Sequence, residues 1–328
     1  MKTGKVPINI LKRSIIKELK QKNTEVLKGA EAGADYALLR LKVPEDIVVT
    51  TNIYEASNKL MAALAVYKAG NNLACSGAEP VAVTVSVTLP ADFSEASLKE
   101  YIKAMNEAAG ELKVEIAGGD TRVSEHVQVP VLTVTGIGKV SREHSMEERK
   151  VCVGQELVVS KWIGMEGTLL IADAKEDELQ TRYPYAMLDR IKAMEHEMTV
   201  LSEAATAVKS DVSAMHDLSE GGILGGLWEF AEKHGVGLEI DLKKIPVKQE
   251  IIEICEYYEL NPYALRSGGS LLMAANNGSN LVWELNKLGI EASVIGRITE
   301  GNDRVILNQE EKRYLDLPQA DEIYKIKF

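Results

Sequence analysis

Four short stretches of the 328-residue sequence gather glycine, acid or hydroxyl residues at element ends, the residue types that hold phosphates and cations. They are "EAGAD" (Glu31–Asp35, around Gly33), "TTNIY" (Thr50–Tyr54), "AGGDTR" (Ala117–Arg122) and "HDLSEGG" (His216–Gly222). Glycines after a strand let backbone N–H groups approach a phosphate, and a following helix N-terminus adds positive potential. A carboxylate in such a loop suits Mg2+, which takes one or two protein carboxylates besides phosphate oxygens. Each stretch alone is a weak signal, because Gly-Gly-Asp-Thr is also an ordinary turn sequence. No G-x-x-x-x-G-K-[ST] occurs, which excludes a P-loop, and "GIGKVS" (136–141) lacks the spacing of a dinucleotide fingerprint. His216 and Asp217 are neighbours at a strand end, so they point to opposite faces and read as packing residues before they read as a dyad. Cys75 is either a reactive thiol or a small buried residue, and the second reading is the plainer one.

The elements that must position these residues alternate between strand and helix. A helix is expected over Ile8–Lys20, then strands at "YALLRL" and Asp46–Thr51. From Ala56 a helix carries Leu60, Met61, Leu64 and Tyr67 on one face, and Gly70, Asn71 and Asn72 read as its stop. "PVAVTVSVTL" is a β-branched strand, "SEASLKEYIKAMNEAAGEL" a helix opened by serine, and "KVEIAGGDT" a strand entering a tight glycine turn. Pro130 inside "VQVPVLTVTGIGKV" suggests an edge strand or a bulge. The polar stretch before Glu156 places a boundary near Lys150, giving domains 1–150 and 151–328. The second half alternates helices (Ala186–Met194, Thr199–Lys209, Gly221–His234, Lys248–Tyr258) with strands such as "GLEIDL" and "SLLMAA". The class is α/β and α+β in two layered domains.

The net charge of −11 argues against nucleic acid or an anionic membrane as partner. Three isolated cysteines, Cys75, Cys152 and Cys255, fit reduced thiols, and no apolar run reaches the ~18 residues of a membrane span. The expected setting is the cytoplasm.

Taken in order, "GKVP", "GAD", "TTN", "GNNLACSGAEPVAVTVSV", "AGGDT", "GMEGTLLIA", "MHDLSEGGILGGLWEFAE" and "SGGSLLMA" resemble the aminoimidazole ribonucleotide (AIR) synthase superfamily. Within it the chain is most similar to the HypE-like branch of hydrogenase maturation factors. The resemblance runs from Gly4 to about Arg304. It implies an N-terminal α/β domain that dimerises into a shared barrel, and a larger α+β C-terminal domain. It also implies ATP in a cleft near the dimer interface, with phosphate moved onto an amide or carbonyl oxygen of a substrate. Mg2+ neutralises the phosphate charge in such chemistry.

Carried over residue by residue, the resemblance implies ATP contacts at Gly33, Gly118, Gly119, Asp120, Thr121, Asp217, Gly221 and Gly222. The metal positions are Asp35, Asn52, Asn72 and Asp120. The motifs resemble G-D/E-D, T-T-D, N-D and G-D/H/E-T, so Asn52 and Asn72 stand where carboxylates are expected and a weakened Mg2+ site follows. HypE proper ends in P-R-I-C, whereas this sequence ends "DEIYKIKF" with no cysteine after Cys255. The expectation is that it does not run carbamoyl chemistry on its own tail. Two readings stand: an ATP-dependent enzyme acting on an unidentified small-molecule or carrier-bound amide or acid, or a non-catalytic homologue that binds nucleotide weakly or not at all and serves as a partner protein in assembly.

Overall fold

The computed structural model describes residues 4–5, 10–30, 38–39 and 45–327. Two units emerge: Met1–Ala74 with Ala78–Ser145, and Cys75–Gly77 with Met146–Phe328. The predicted site residues Gly33 and Asp35, and most of "YALLRL", lie outside the described residues.

In the first unit, β1 (Gly4–Lys5), β4 (Asp46–Glu55), β5 (Glu79–Leu89), β6 (Glu115–Val123) and β7 (Val131–Val140) form a sheet. Their order is β1-β6-β5-β7-β4, and β2 (Val26–Lys28) pairs with β3 (Leu38–Leu39) apart from it. β5 and β6 run parallel, and the helix Glu95–Glu111 makes the crossover between them. Ser94 caps that helix, its hydroxyl accepting from Ser97 N at 2.9 Å. The helix Lys59–Ala74 lies between the sheet and this second helix, which is why it is buried nearly all round and alanine is its commonest residue.

Three expectations are corrected here. Gly70, Asn71 and Asn72 do not stop a helix but lie inside one that runs to Ala74. Gly70 is there for close approach, because a Cβ on it would sit 2.6 Å from Leu112 Cδ2. Pro130 precedes β7, an interior strand, and its carbonyl accepts from Ala56 N at 2.8 Å. The first helical segment winds as a π turn over Leu11–Ile15 and a 3₁₀ turn over Ile16–Glu18, with Arg13 and Ser14 both bonded to Glu95.

The second unit holds β8 (Glu156–Ser160), β9 (Val212–Asp217), β10 (Gly237–Asp241), β11 (Leu271–Ala275), β12 (Ala292–Thr299), β13 (Arg304–Asn308) and β14 (Glu311–Tyr314). They order as β14-β13-β10-β12-β8-β11-β9, antiparallel except for β10 with β13. One face of β8, through Leu157 and Val159, meets Leu227 and Phe230 of the helix Gly222–His234. The other face, through Val158, meets Gly278 of the helix Gly278–Lys287. The result is a three-layer α+β unit.

Candidate functional site

Gly118, Gly119, Asp120 and Thr121 were expected in a turn after a strand, yet they lie within β6, opposite Thr84, Val85, Ser86 and Val87 of β5. The strand continues because Gly119 has no side chain. Its φ is +156°, and a Cβ there would stand 1.9 Å from the carbonyl oxygen of Val85. Alternation along the strand then separates the motif. Thr121 is buried, while Asp120 and Arg122 are exposed on the opposite face.

Cross-strand pairing extends that open face. Asp120 is beside Ser86, Ser86 beside Thr133, Thr84 beside Thr135, and Thr135 beside Thr51, whose hydroxyls meet at 3.0 Å. It is a field of hydroxyls with an acid and a base on β6 and the apolar side chains Ile47, Val49 and Ile53 on the edge strand β4.

Asn52 and Asn72 turn the other way. Thr50, Asn52 and Tyr54 face the helix Lys59–Ala74 in succession. Asn52 Nδ2 donates to Ala65 O at 3.0 Å, Asn72 Nδ2 donates to Thr50 Oγ1 at 3.3 Å, and Lys68 Nζ stands 5.9 Å from the Tyr54 ring. The two amides fasten strand to helix. Asn52 Oδ1 is buried with no hydrogen-bond partner, but it lies on the inner side of the sheet and Asp120 on the outer. Among the described residues, no three His, Cys, Asp or Glu side chains converge as a metal site. At the described metal positions the one carboxylate is Asp120, while Asn52 and Asn72 are engaged between strand and helix.

In the second unit, Asp217 ends β9 and a loop leads into the helix Gly222–His234. Gly221 and Gly222 have φ of +81° and +61°, and a Cβ on Gly222 would meet Leu265 O and Tyr263 O at 2.7 Å. Their N–H groups, expected to face a phosphate, are already taken. Gly222 N donates to Ser219 O, and Gly221 N donates to Asp321 Oδ2 at 2.6 Å. Asp321 also accepts from Ile323 N at 2.9 Å and Arg266 N at 3.3 Å. An internal carboxylate thus fills the position that a helix N-terminus offers to an anion. Sequence reasoning missed Asp321; its one local signal is an acid at the cap of the short turn Glu322–Lys325. Two buried ion pairs were missed as well, Arg266 Nε with Glu166 at 3.2 Å and Lys161 Nζ with Glu203 at 2.7 Å.

Asp321 is 3% exposed, and burial pushes its pKa above the ordinary carboxylate range against the three N–H donors. The native state therefore holds this proton more tightly than the unfolded chain. The contribution of the group is complete below its unfolded pKa and declines as pH rises through its folded pKa. Denaturant midpoints of the wild type and Asp321→Asn, compared across pH, are expected to show the wild type's relative stability falling as pH rises. A pH-independent difference would contradict this.

His216 pairs with Glu229, Nε2 to Oε2 at 3.2 Å. Burial, then the Asp217 charge, push the Cys75 thiol well above its usual range, which disfavours the thiolate.

The sequence matches two domain families, the AIR synthase related protein N-terminal domain over residues 33–140 and its C-terminal domain over 153–308. A Methanocaldococcus jannaschii protein named provisionally for hydrogenase expression/formation is 29% identical, over 98% of this chain and 97% of that one. Carbamoyl dehydratase HypE of Cupriavidus necator is 27% identical over 86% of this chain and 78% of its own. Among solved structures, Escherichia coli HypE superposes with a TM-score of 0.80 at 21% identity, over 97% of this chain and 99% of that chain. A HypE solved with ATP gives 0.79 at 18%, covering 96% of each chain, and a HypE–HypF complex gives 0.71 at 22%, covering 85% of this chain and 92% of that one. At these identities the structural likeness is one of fold. No helix among the described residues is long and apolar enough to cross a membrane. With both domains matched in order along its length, the chain belongs to the AIR synthase related protein family as a HypE-like member.

Proposed function

We propose that this protein binds ATP and transfers its terminal phosphate to an amide or carbonyl oxygen of a substrate, as a homodimer. The observation that carries the reading is the open face of β6, where the Gly118 backbone and the Asp120 carboxylate lie beside the hydroxyls of Thr84 and Ser86. Such a face offers hydrogen bonds to phosphate oxygens and one carboxylate for a cation that arrives with the triphosphate. The solved HypE–ATP complex supports nucleotide binding in this fold. Dimerisation is supported by Ile47, Val49 and Ile53, which are 63%, 61% and 68% exposed in one row on an edge strand. Exposed apolar side chains on either side of Thr51 along an edge strand mark an interface. The HypE–HypF complex supports a further protein partner in assembly. The free cysteines fit the reducing cytoplasm.

Calorimetric titration with ATP, with and without Mg2+, followed by phosphate release, tests the proposal. Wild-type protein is expected to bind ATP and release phosphate slowly, and Asp120→Asn to weaken binding by at least about tenfold, the scale of one lost charge-assisted contact. Sedimentation of the same samples reports the dimer. The second reading, a non-catalytic assembly protein, rests on Asn52 and Asn72 being engaged between strand and helix. Binding without any phosphate release decides for it, and absence of binding overturns both the nucleotide site and the transfer.

A further inference from the structure

β8 covers one side of β12 from Ala292 to Arg297, whereas β10 covers the other side only from Gly296 to Thr299. Beyond Asp241 the chain leaves the sheet as the 3₁₀ turn Leu242–Lys244. The stretch Ala292–Val294, with no strand paired on that side, lines a groove of about 620 Å³. The segment Lys243–Val247 and the residues Ser279, Val282 and Trp162 line it too. Ala292 and Val294 share a face with Ser160 and Val158, and Ser293 shares the opposite face with Val159. Residues of both faces line one groove only if it runs along the strand's edge.

We propose that this groove binds an extended acidic segment of a partner protein, which adds a short strand along Ala292–Val294. An open strand edge presents main-chain donors and acceptors in line, which only another extended backbone matches. Charge selects the side chains. The protein carries −11 overall, yet two lysines stand together at this rim. The Lys243 ammonium has no ion-pair partner among the described residues, and Lys244 has only the exposed Asp241 at 3.7 Å, a pair of little strength. Trp162, Val282 and Val294 supply apolar surface in the same groove. A segment alternating carboxylate and β-branched residues meets both, since its side chains alternate with the strand period.

The test uses the intact protein and a fluorescein-labelled peptide, acetyl-Glu-Val-Glu-Ile-Glu-Val-Glu, read by anisotropy. Hydrogen exchange at residues 292–295 is followed in parallel. Binding tighter than about 1 mM is expected, as for short strand additions, weakened at least about tenfold by Lys243→Glu with Lys244→Glu. Amides of 292–295 are expected to slow when the peptide is bound. Both lysines are exposed, so the double variant keeps its fold, which its melting curve checks. The proposal is overturned if the peptide does not bind, or if it binds the double variant equally well. Binding that leaves exchange at 292–295 unchanged overturns strand addition in favour of simple anion attraction. Concentration-dependent self-association abolished by the double variant makes a second copy the occupant and overturns the proposed partner.

Discussion

Gly119→Ala is expected to lower the stability of the first unit by about 3–5 kcal/mol, in the range where only strain or a broken network reaches. Gly118→Ala, one residue away, is expected to leave it within about 1 kcal/mol. The two glycines look alike in "AGGDT" but meet different surroundings. A Cβ at 118 has only Thr84 Cγ2 nearby, at 3.9 Å, an ordinary contact. A Cβ at 119 would lie 1.9 Å from Val85 O and 2.7 Å from Val85 C, backbone atoms that cannot rotate away. Relief requires β5 and β6 to part, and these strands are the centre of the sheet's pairing. At roughly 2–4 °C per kcal/mol for a unit of this size, the expected fall in melting temperature is on the order of 10 °C. A Gly119→Ala protein melting with the wild type would show that the close approach of Val85 is not obligatory. The pair also separates fold from function, because Gly118→Ala alters the open face while leaving the sheet intact. If phosphate approaches there, ATP affinity falls in a protein of normal stability.

Where composition alone decides conformation, the elements were legible. "PVAVTVSVTL" is a β-branched run of strand length, and Ser94 before "EASLKEY" announces a capped helix. The family resemblance rested on motif order and needed no geometry. Legibility ended where one residue type serves two purposes. Gly70 was read as a helix terminator, but glycine also allows two helices to touch, and only the position of Leu112 distinguishes the cases. Gly118 and Gly119 were read as a turn because the carbonyl of Val85, from another strand, is what calls for the second glycine. The least legible feature was Asp321, which meets Gly221 across 100 residues of chain. Nothing local in "HDLSEGG" reports that its helix N-terminus is filled from within.

The same ambiguity governs Asn52, and it yields the sharpest expectation. If Asn52 is a decayed metal ligand, Asn52→Asp restores a carboxylate and strengthens the protein in Mg2+. The structure points to the opposite result. Asn52 is 8% exposed, and its Nδ2 donates to Ala65 O at 3.0 Å. A carboxylate has no proton to give, so the substitution sets an oxygen against a carbonyl oxygen. It also buries a charge whose other oxygen inherits the unpartnered place of Asn52 Oδ1. The expected cost near neutral pH is about 2–4 kcal/mol, combining the lost donor with desolvation. The sign with pH follows. Burial raises the pKa of the introduced carboxyl in the folded state above its unfolded value of about 3.9. Stability relative to wild type is therefore best in acid, where the neutral carboxyl can donate to Ala65 O, and declines as pH rises through the folded pKa. Asn72→Asp is the matched control. Its side chain is only half-buried, and Thr50 Oγ1 can turn its proton toward a carboxylate, reversing the bond now donated by Asn72 Nδ2. A change within about 1 kcal/mol is expected there. Denaturant unfolding of both variants near pH 5 and near pH 8, with and without Mg2+, distinguishes the two accounts. A pH-dependent loss at position 52 that Mg2+ does not repair makes the amide a fastener between β4 and its helix. Recovery by Mg2+ would instead mean that the inner side of the sheet opens to a cation, and that the family's metal position survives in this chain with only its charge removed.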